Sequence, residues 1–217
     1  MIRTSRVFLF VALVVCQIYL AASSFAQSRN EAGLVIGSTV TPSLGVTTSP
    51  GSARAPDLHF QSSLALGAEY DRTLYSSART SIAAGVDFLA SPFDVKLDHP
   101  PAFTIPGYAY IFLTPHVRVK FRPENSFSPW LLLGGGYARF RETSPRGVTG
   151  FSIGTNTGAL EVGAGLDTKP LVKILRIPIG FRAEVRDFYS GRPRYGVSVP
   201  SNGQNNVVFT GGLLLRF

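Results

Sequence analysis

Apolar and other residues alternate with a period of two along almost the whole chain, and this pattern restricts the fold more than any other feature. Near the C-terminus, Val207, Phe209 and Leu213 fall on one face of an extended segment, whereas Asn206 and Thr210 fall on the other. Beyond residue 27 no apolar stripe of useful length follows the 3.6-residue period of a helix. A period of two is that of a β-strand. The sequence therefore predicts an all-β protein.

Eight such segments are separated by connections that are alternately long, with many Gly, Pro and Ser residues, and short. The segments cover residues 32–42, 60–71, 77–90, 107–121, 129–141, 157–167, 175–188 and 206–217. An even number of antiparallel strands with alternately short and long connections is typical of membrane-spanning barrels. A sheet crosses hydrocarbon only when it closes on itself, because lipid offers no hydrogen-bond partners. We predict an eight-stranded antiparallel up-and-down transmembrane β-barrel with its four long loops at the outer surface.

The first residues have the pattern of an export signal. Two arginines precede the apolar run Val7–Cys16, and small residues occupy the −3 and −1 positions of a cleavage site that ends at Ala26. We expect residues 1–26 to form a signal peptide and cleavage to leave Gln27 first. An uncleaved anchor would need about 20 apolar residues, more than this run provides. The barrel domain then covers residues 27–217, and the expected location is the cell outer membrane.

Composition excludes several classes of function. Charged residues make up 16% of the 217 residues, against roughly 25% in a typical soluble domain. The excess of 21 Lys and Arg over 13 Asp and Glu is scattered and forms no nucleic-acid stripe. The single cysteine excludes a disulfide framework, and no His and carboxylate group has the spacing of metal ligands. We expect no nucleic acid, no cofactor and no metal.

Charge predicts which face of each strand meets lipid, because Lys or Arg facing lipid at the bilayer midplane costs about 2–4 kcal/mol. In segment 129–141 this reasoning turns Arg139 and Arg141 inward and places Trp130, Leu132 and Phe140 against lipid. A soluble eight-stranded ligand-binding barrel would carry scattered charge on its outward face instead.

Segment 107–121 allows two interpretations. With Arg118 inward, unbroken alternation places Tyr110 and Phe112 in the interior as well. A bulge at Pro115 would reverse the alternation and turn these aromatic residues to lipid, since proline in strands occurs at edges, ends and bulges. Charge alone leaves both interpretations open.

The interior of an eight-stranded barrel is just wide enough for side chains to fill it, and buried charges must be paired. We therefore expect a ladder of ion pairs inside the barrel, with His116 satisfied by it and Arg216 on a flanking strand. The predicted inward acids are Glu69, Asp87, Glu161, Asp167 and Glu184, and the predicted inward bases are Arg118, Lys120, Arg139, Arg141, Arg182 and Arg186. The near balance of charge favours a structural ladder over an ion path.

The chain resembles the outer-membrane β-barrel domain family, which includes small barrels similar to the transmembrane domain of outer membrane protein A, the OmpX-like proteins and the neisserial opacity proteins. The resemblance rests on the leader, the eight segments and the terminal strand with Leu213, Leu215 and Phe217. It implies that these three residues signal to the barrel-assembly machinery. It also implies a monomer in outer-membrane lipid that offers its loops to an extracellular ligand. Contact with anionic lipopolysaccharide is predicted from the arginines of the outer loops, which ordinary solvated loop charge explains equally well.

The sequence predicts a non-enzymatic barrel with a structural or surface-interaction role. Conduction of ions or small solutes through the interior is the first alternative. A lipid-modifying enzyme at the outer rim is the second, and it would depend on His59 or His99 beside loop Ser and Asp residues. The lipid A deacylase barrels keep a His-x-Ser motif near the C-terminus, whereas no histidine follows His116 here.

Overall fold

A computed structural model describes residues 29–44, 59–95, 97–98, 108–143, 154–191 and 202–217, and the long strands there follow the alternating segments. The eight long strands are β1 (Asn30–Val40), β2 (Ser63–Ser76), β3 (Thr80–Val95), β4 (Tyr108–Phe121), β5 (Phe127–Glu142), β6 (Gly154–Thr168), β7 (Ile177–Gly191) and β8 (Gly203–Arg216). Among these described residues no helix is long and apolar enough to cross a membrane. The predicted signal peptide and its cleavage site lie outside them.

Each long strand pairs antiparallel with the next one along the chain, and β8 also pairs with β1. The closing register places Leu34 opposite Leu213, and Asn30 and Phe217 exchange two backbone hydrogen bonds of 2.9 Å. Closure leaves the sheet without a free edge, so every long strand has a backbone partner on both sides. The predicted all-β, eight-stranded antiparallel barrel is confirmed.

The two ends of the barrel differ. The short connections 77–79, 122–126 and 169–176 lie at one end, where β1 begins and β8 finishes; we call this the short-turn end. The connections at the other end, the long-loop end, lie largely outside the described residues. A short strand, Val172–Ile174, pairs antiparallel with the first residues of β7 at the short-turn end. A second short pairing joins His59–Phe60, which precedes β2, to Leu97–Asp98, which follows β3.

The outward face of the barrel carries a continuous band of exposed aliphatic and aromatic side chains. Its members include Leu34, Ile36, Leu64, Leu66, Val86, Phe88, Leu113, Val117, Leu131, Leu133, Leu160, Val162, Phe181, Val185, Phe209 and Leu213. The described parts of the long strands carry few charged residues on this face: Arg72 near the short-turn end, Arg139 and Arg141 toward the long-loop end, and the partly exposed Asp187 near mid-height, opposite Val162. Such a band far exceeds the apolar patches that water-soluble monomers expose.

The predicted facing of β5 is wrong. Trp130 and Phe140 are each 1% exposed and point into the barrel, whereas Arg139 and Arg141 are exposed on its outside. The charge rule failed because it treats every arginine as if it lay at mid-bilayer, and these two lie close to the end of β5 at Glu142. At that level an outward arginine reaches polar surroundings at little cost.

The alternation in β4 runs unbroken through Pro115, which excludes the bulge proposed there. Tyr110 and Phe112 are buried on the same face as Arg118. The register between β3 and β4 is continuous from Thr80 to Ser91, and Pro115 takes its place in it opposite Val86. Aromatic and charged side chains therefore share one interior.

An arginine in the middle of the outward band tests whether that band meets hydrocarbon. Leu133, which is 61% exposed on β5, should lose about 2–4 kcal/mol of unfolding free energy in phospholipid bilayers when replaced by arginine. The control is Leu175→Arg, at a residue 85% exposed in a short connection. Urea titration of both variants provides the measurement, and equal effects would contradict a lipid-facing band.

Candidate functional site

Aromatic rings are the largest side chains in the half of the interior toward the long-loop end, and we call this half the aromatic layer. Phe112 stacks on Phe188 with ring centroids 4.5 Å apart, and it meets Phe140 edge-on at 6.0 Å. Tyr110 packs against Phe112 at 5.2 Å. The layer is completed by Ala65, Leu89, Tyr108, Ala138, Ala159 and Val208, all of them buried. Rings packed at these distances leave little space for water along the barrel axis.

The half of the interior toward the short-turn end holds the charged side chains, which we call the charged layer. Because alternate residues of a strand point to the same side, residues two apart on β2, β4 and β7 enter it together. Its acids are Glu31, Glu69, Asp71, Asp87, Glu161, Asp167 and Glu184, and its bases are His116, Arg118, Lys120, Arg182, Arg186 and Arg216.

Arg182, fully buried on β7, is at the centre of the charged layer. Its Nε and Nη2 donate to both carboxylate oxygens of Asp167 at 2.7 and 2.9 Å. Its Nη1 donates to Glu69, and its Nη2 also reaches Glu31 at 3.5 Å. A planar guanidinium suits such two-pronged contact with carboxylates, and here it ties together β7, β6, β2 and β1.

Trp130 lies between two arginines. The guanidinium of Arg118 is 4.4 Å from the centroid of its ring and that of Arg182 is 5.3 Å away, a cation–π arrangement. The indole Nε1 donates to Asp167 at 3.0 Å. Arg118 in turn pairs with Asp71 and, at 3.0 Å, with Glu69. The charged layer thus explains why the ring of Trp130 points inward.

The charged layer is closed toward the short-turn end by pairs around Glu31. Lys120 Nζ lies 2.7 Å from Glu31 and 2.7 Å from Asp167. Arg216 donates to Glu31 at 2.9 Å, which links the first and last strands by side chains as well as by backbone. These pairs are the more exposed part of the layer, with Glu31 at 13% and Arg216 at 15% side-chain exposure.

Toward the aromatic layer, Arg186 contacts four carboxylates. It pairs with Glu69, with Glu184 at 2.5 Å, with Asp87 at 3.1 Å and with Glu161 at 3.2 Å. Here carboxylates outnumber the cationic side chains. His116 lies beside them, with Nε2 2.7 Å from Asp71 and Nδ1 3.0 Å from Asp87.

The structure brings together most of the residues expected in the ion-pair ladder. Those found in the charged layer are Glu69, Asp87, Arg118, Lys120, Glu161, Asp167, Arg182, Glu184 and Arg186. Arg139 and Arg141 do not belong to it. Glu31 was missed because it precedes the predicted first segment by one residue, although its alternation with Gly33 and Val35 would have placed it inside. Arg216 pairs with Glu31.

The three residues of the predicted assembly signal lie on or next to the outward face of β8. Leu213 is exposed on the outward face, and Leu215 is half-buried there. Phe217 is half-buried and joined to Asn30 through the backbone. His99 and the signal cleavage site lie outside the described residues.

Removing one member of the charged layer should be costly. Arg182→Leu leaves Asp167 and Glu69 buried with less compensation, and we expect a loss of about 3–5 kcal/mol in unfolding free energy. The exposed Arg79, in a short connection, is the matched control, and Arg79→Leu should change it by less than about 0.5 kcal/mol. Urea unfolding in detergent measures both. A loss for Arg182→Leu no larger than the control's would contradict the account of the charged layer.

A closed antiparallel eight-stranded barrel with an apolar outside defines a class: the chain has the fold of the small outer-membrane β-barrels. It matches Neisserial surface protein A (NspA) with a TM-score of 0.54 and 12% identity, covering 88% of this chain and 99% of that one. It matches OprG from Pseudomonas aeruginosa with a TM-score of 0.51 and 16% identity, covering 88% and 97% of the two chains. Identities this low establish the fold alone.

Comparison of the sequence itself is uninformative: no protein-family model and no curated protein matches it.

Proposed function

We propose that this protein is a non-enzymatic barrel of the outer membrane, closed to solutes, which acts as a structural or surface-interaction protein through its long-loop end. The observation that carries the proposal is the aromatic layer. Its rings, with buried polar side chains such as Thr39, Ser91 and Asn206 among them, pack the interior between the charged layer and the long-loop end. A sealed barrel offers its neighbours two surfaces, the outward band and the loops.

The outward band supports the location in a membrane. Its side chains run from Leu34 on β1 to Leu213 on β8 and so surround the barrel. Backbone closure removes unpaired groups that hydrocarbon would not tolerate. We also propose that residues 1–26 direct export and are removed, and that the barrel-assembly machinery inserts the chain as a monomer with its long loops outside.

Conduction is the main alternative, because ionisable groups inside a membrane often mark pathways. A pathway needs water along the barrel axis. Here Phe112 and Phe188 stack across the interior, and the buried Arg182 and Arg186 are engaged by several carboxylates each. Both features favour a scaffold over a channel.

Arg139 and Arg141 support contact with anionic lipid at the long-loop end. They are two residues apart, so both point outward from the same strand, and both are exposed. Tyr137 lies next on that face, with its hydroxyl 2.7 Å from Asn156. Guanidinium groups bind phosphate in a two-pronged geometry. The pair therefore suits the phosphate groups of lipopolysaccharide, the lipid partner we propose.

Planar-bilayer recordings test the sealed barrel. We expect the folded protein, identified by a gel band that shifts on boiling, to insert without producing a steady current. The reason is the packed aromatic layer. A steady, reproducible current from the folded band would overturn the proposal and favour the conducting alternative.

Binding of lipopolysaccharide tests the arginine pair. Replacing both Arg139 and Arg141 by alanine should weaken binding of purified lipopolysaccharide to the detergent-solubilised barrel at least several-fold, and salt should weaken the native interaction. The matched control replaces Arg79 and Arg122, two exposed arginines at the short-turn end. Equal loss in both double variants would indicate unspecific attraction to charge and contradict the proposed contact.

A further inference from the structure

Three buried side chains with metal-binding groups meet in the charged layer just below the aromatic layer. Asp87 comes from β3, His116 from β4 and Glu161 from β6. Each offers one ligand atom, and these atoms lie within 4.8 Å of one another. No local sequence pattern indicates this group, because its members are far apart along the chain and only the closed barrel brings them together.

The hydrogen bonding of His116 is that of a metal ligand. Nε2 lies 2.7 Å from Asp71 Oδ1, and Asp71 is itself held by Arg118. Metal-bound histidines characteristically donate their second ring N–H to a carboxylate in this way. In the tautomer that carries its proton on Nε2, the unprotonated Nδ1 faces Asp87, whose Oδ2 lies 3.0 Å away without hydrogen-bond geometry.

Asp87 is also unusual. It is 0% exposed, and its Oδ1 has no hydrogen-bond partner among the described residues. Buried carboxylate oxygens are normally paired. The other oxygen, Oδ2, lies 3.1 Å from Arg186. On Glu161, Oε1 lies 3.2 Å from Arg186, while Oε2 accepts a hydrogen bond from the Thr114 hydroxyl, which fixes the orientation of the carboxylate.

Negative charge exceeds positive charge in the part of the charged layer that holds Asp87, His116 and Glu161. Nearer the short-turn end, four carboxylates face four bases: Glu31, Glu69, Asp71 and Asp167 against Arg118, Lys120, Arg182 and Arg216. Nearer the aromatic layer, the three carboxylates of Asp87, Glu161 and Glu184 face Arg186, which Glu69 also contacts, and His116 lies beside Asp87. Over the whole charged layer, seven carboxylates face five lysine and arginine side chains. With His116 neutral, as a metal ligand has to be, the surplus is 7 − 5 = 2 negative charges, the amount that one divalent cation neutralises.

Two glycines keep the group free of neighbouring side chains. A Cβ on Gly85 would lie 2.7 Å from His116 Nε2 and 2.6 Å from Asp71 Oδ1. A Cβ on Gly134 would lie 2.9 Å from His116 Cβ and 3.3 Å from Glu161 Oε2. A side chain at either position would clash with His116 and with a neighbouring backbone carbonyl, that of Tyr70 at Gly85 and that of Pro115 at Gly134.

We propose that Asp87, His116 and Glu161 bind one divalent transition-metal ion through the imidazole Nδ1 and carboxylate oxygens. One imidazole with two carboxylates is a donor set that suits zinc and its neighbours in the first transition series, whereas magnesium and calcium prefer oxygen ligands alone. The ion joins β3, β4 and β6 beneath the aromatic layer. Because the ligands are buried, it enters while the barrel folds.

The test uses the full chain without an affinity tag, refolded in detergent with ZnCl₂ or with a chelator and freed of unbound metal. Elemental analysis of the heat-shiftable folded form should give one zinc per chain, and zinc should raise the unfolding temperature. MgCl₂ should do neither. Folded native protein that retains no zinc would overturn the proposal.

Variants locate the ion. Asp87→Asn and His116→Gln should abolish zinc retention. Asp71→Asn, which alters the hydrogen-bond partner of His116 and leaves the three ligands in place, should weaken zinc binding about 10- to 100-fold. The matched control is Glu31→Gln, the same kind of acid-to-amide change at the short-turn end of the charged layer, away from the three ligands and Arg186, and it should still retain one zinc. Equal zinc retention by the native protein and His116→Gln would overturn the proposal.

X-ray absorption identifies the zinc ligands in the native protein and therefore tests the assignment even if the variants do not fold. X-ray absorption of the zinc-loaded barrel should show one imidazole nitrogen, oxygen neighbours and no sulfur. Two or more imidazoles would indicate binding by His59 or His99 in other parts of the chain, and sulfur would indicate Cys16. Either result would overturn the assignment to the charged layer.

Discussion

Closure between β1 and β8 is the constraint from which the rest of the structure follows. A sheet in hydrocarbon has to satisfy all of its backbone groups internally, and eight strands do so only as a ring. A ring of eight encloses a space that side chains fill. Every side chain that points inward must therefore pack against others or form an ion pair or hydrogen bond. Aromatic rings pack together toward the long-loop end, and charged side chains form ion pairs toward the short-turn end.

One buried aromatic ring lies outside the aromatic layer. Trp130 contributes its ring to the charged layer and is held there by Arg118 and Arg182. Below the aromatic layer the balance of charge changes, and the carboxylates near His116 exceed their basic partners. The proposed metal ion would supply the missing positive charge at the level where the polar interior gives way to the apolar one.

The sequence predicts the number and order of strands well because period-two alternation and loop length are local signals. It predicts facing less well where local signals conflict. Arg139 and Trp130 lie on opposite faces of β5, so the rule that charged residues face inward necessarily turns Trp130 outward. That rule is weak for Arg139 because this residue lies near the end of the strand. Pro115 shows the same weakness, since an outward proline is tolerated in an unbroken register. The meeting of Asp87, His116 and Glu161 depends on ring closure, which no local pattern reveals.

Fluorescence of Trp130, the only tryptophan of the chain, tests the filled and sealed interior most directly. With the barrel folded in bilayers, brominated lipids quench a ring that faces lipid, and iodide quenches a ring that faces water. A ring packed between Arg118 and Arg182 should be protected from both and lose this protection on unfolding. Strong quenching by brominated lipid would contradict the inward position of Trp130, and strong quenching by iodide would contradict the sealed interior.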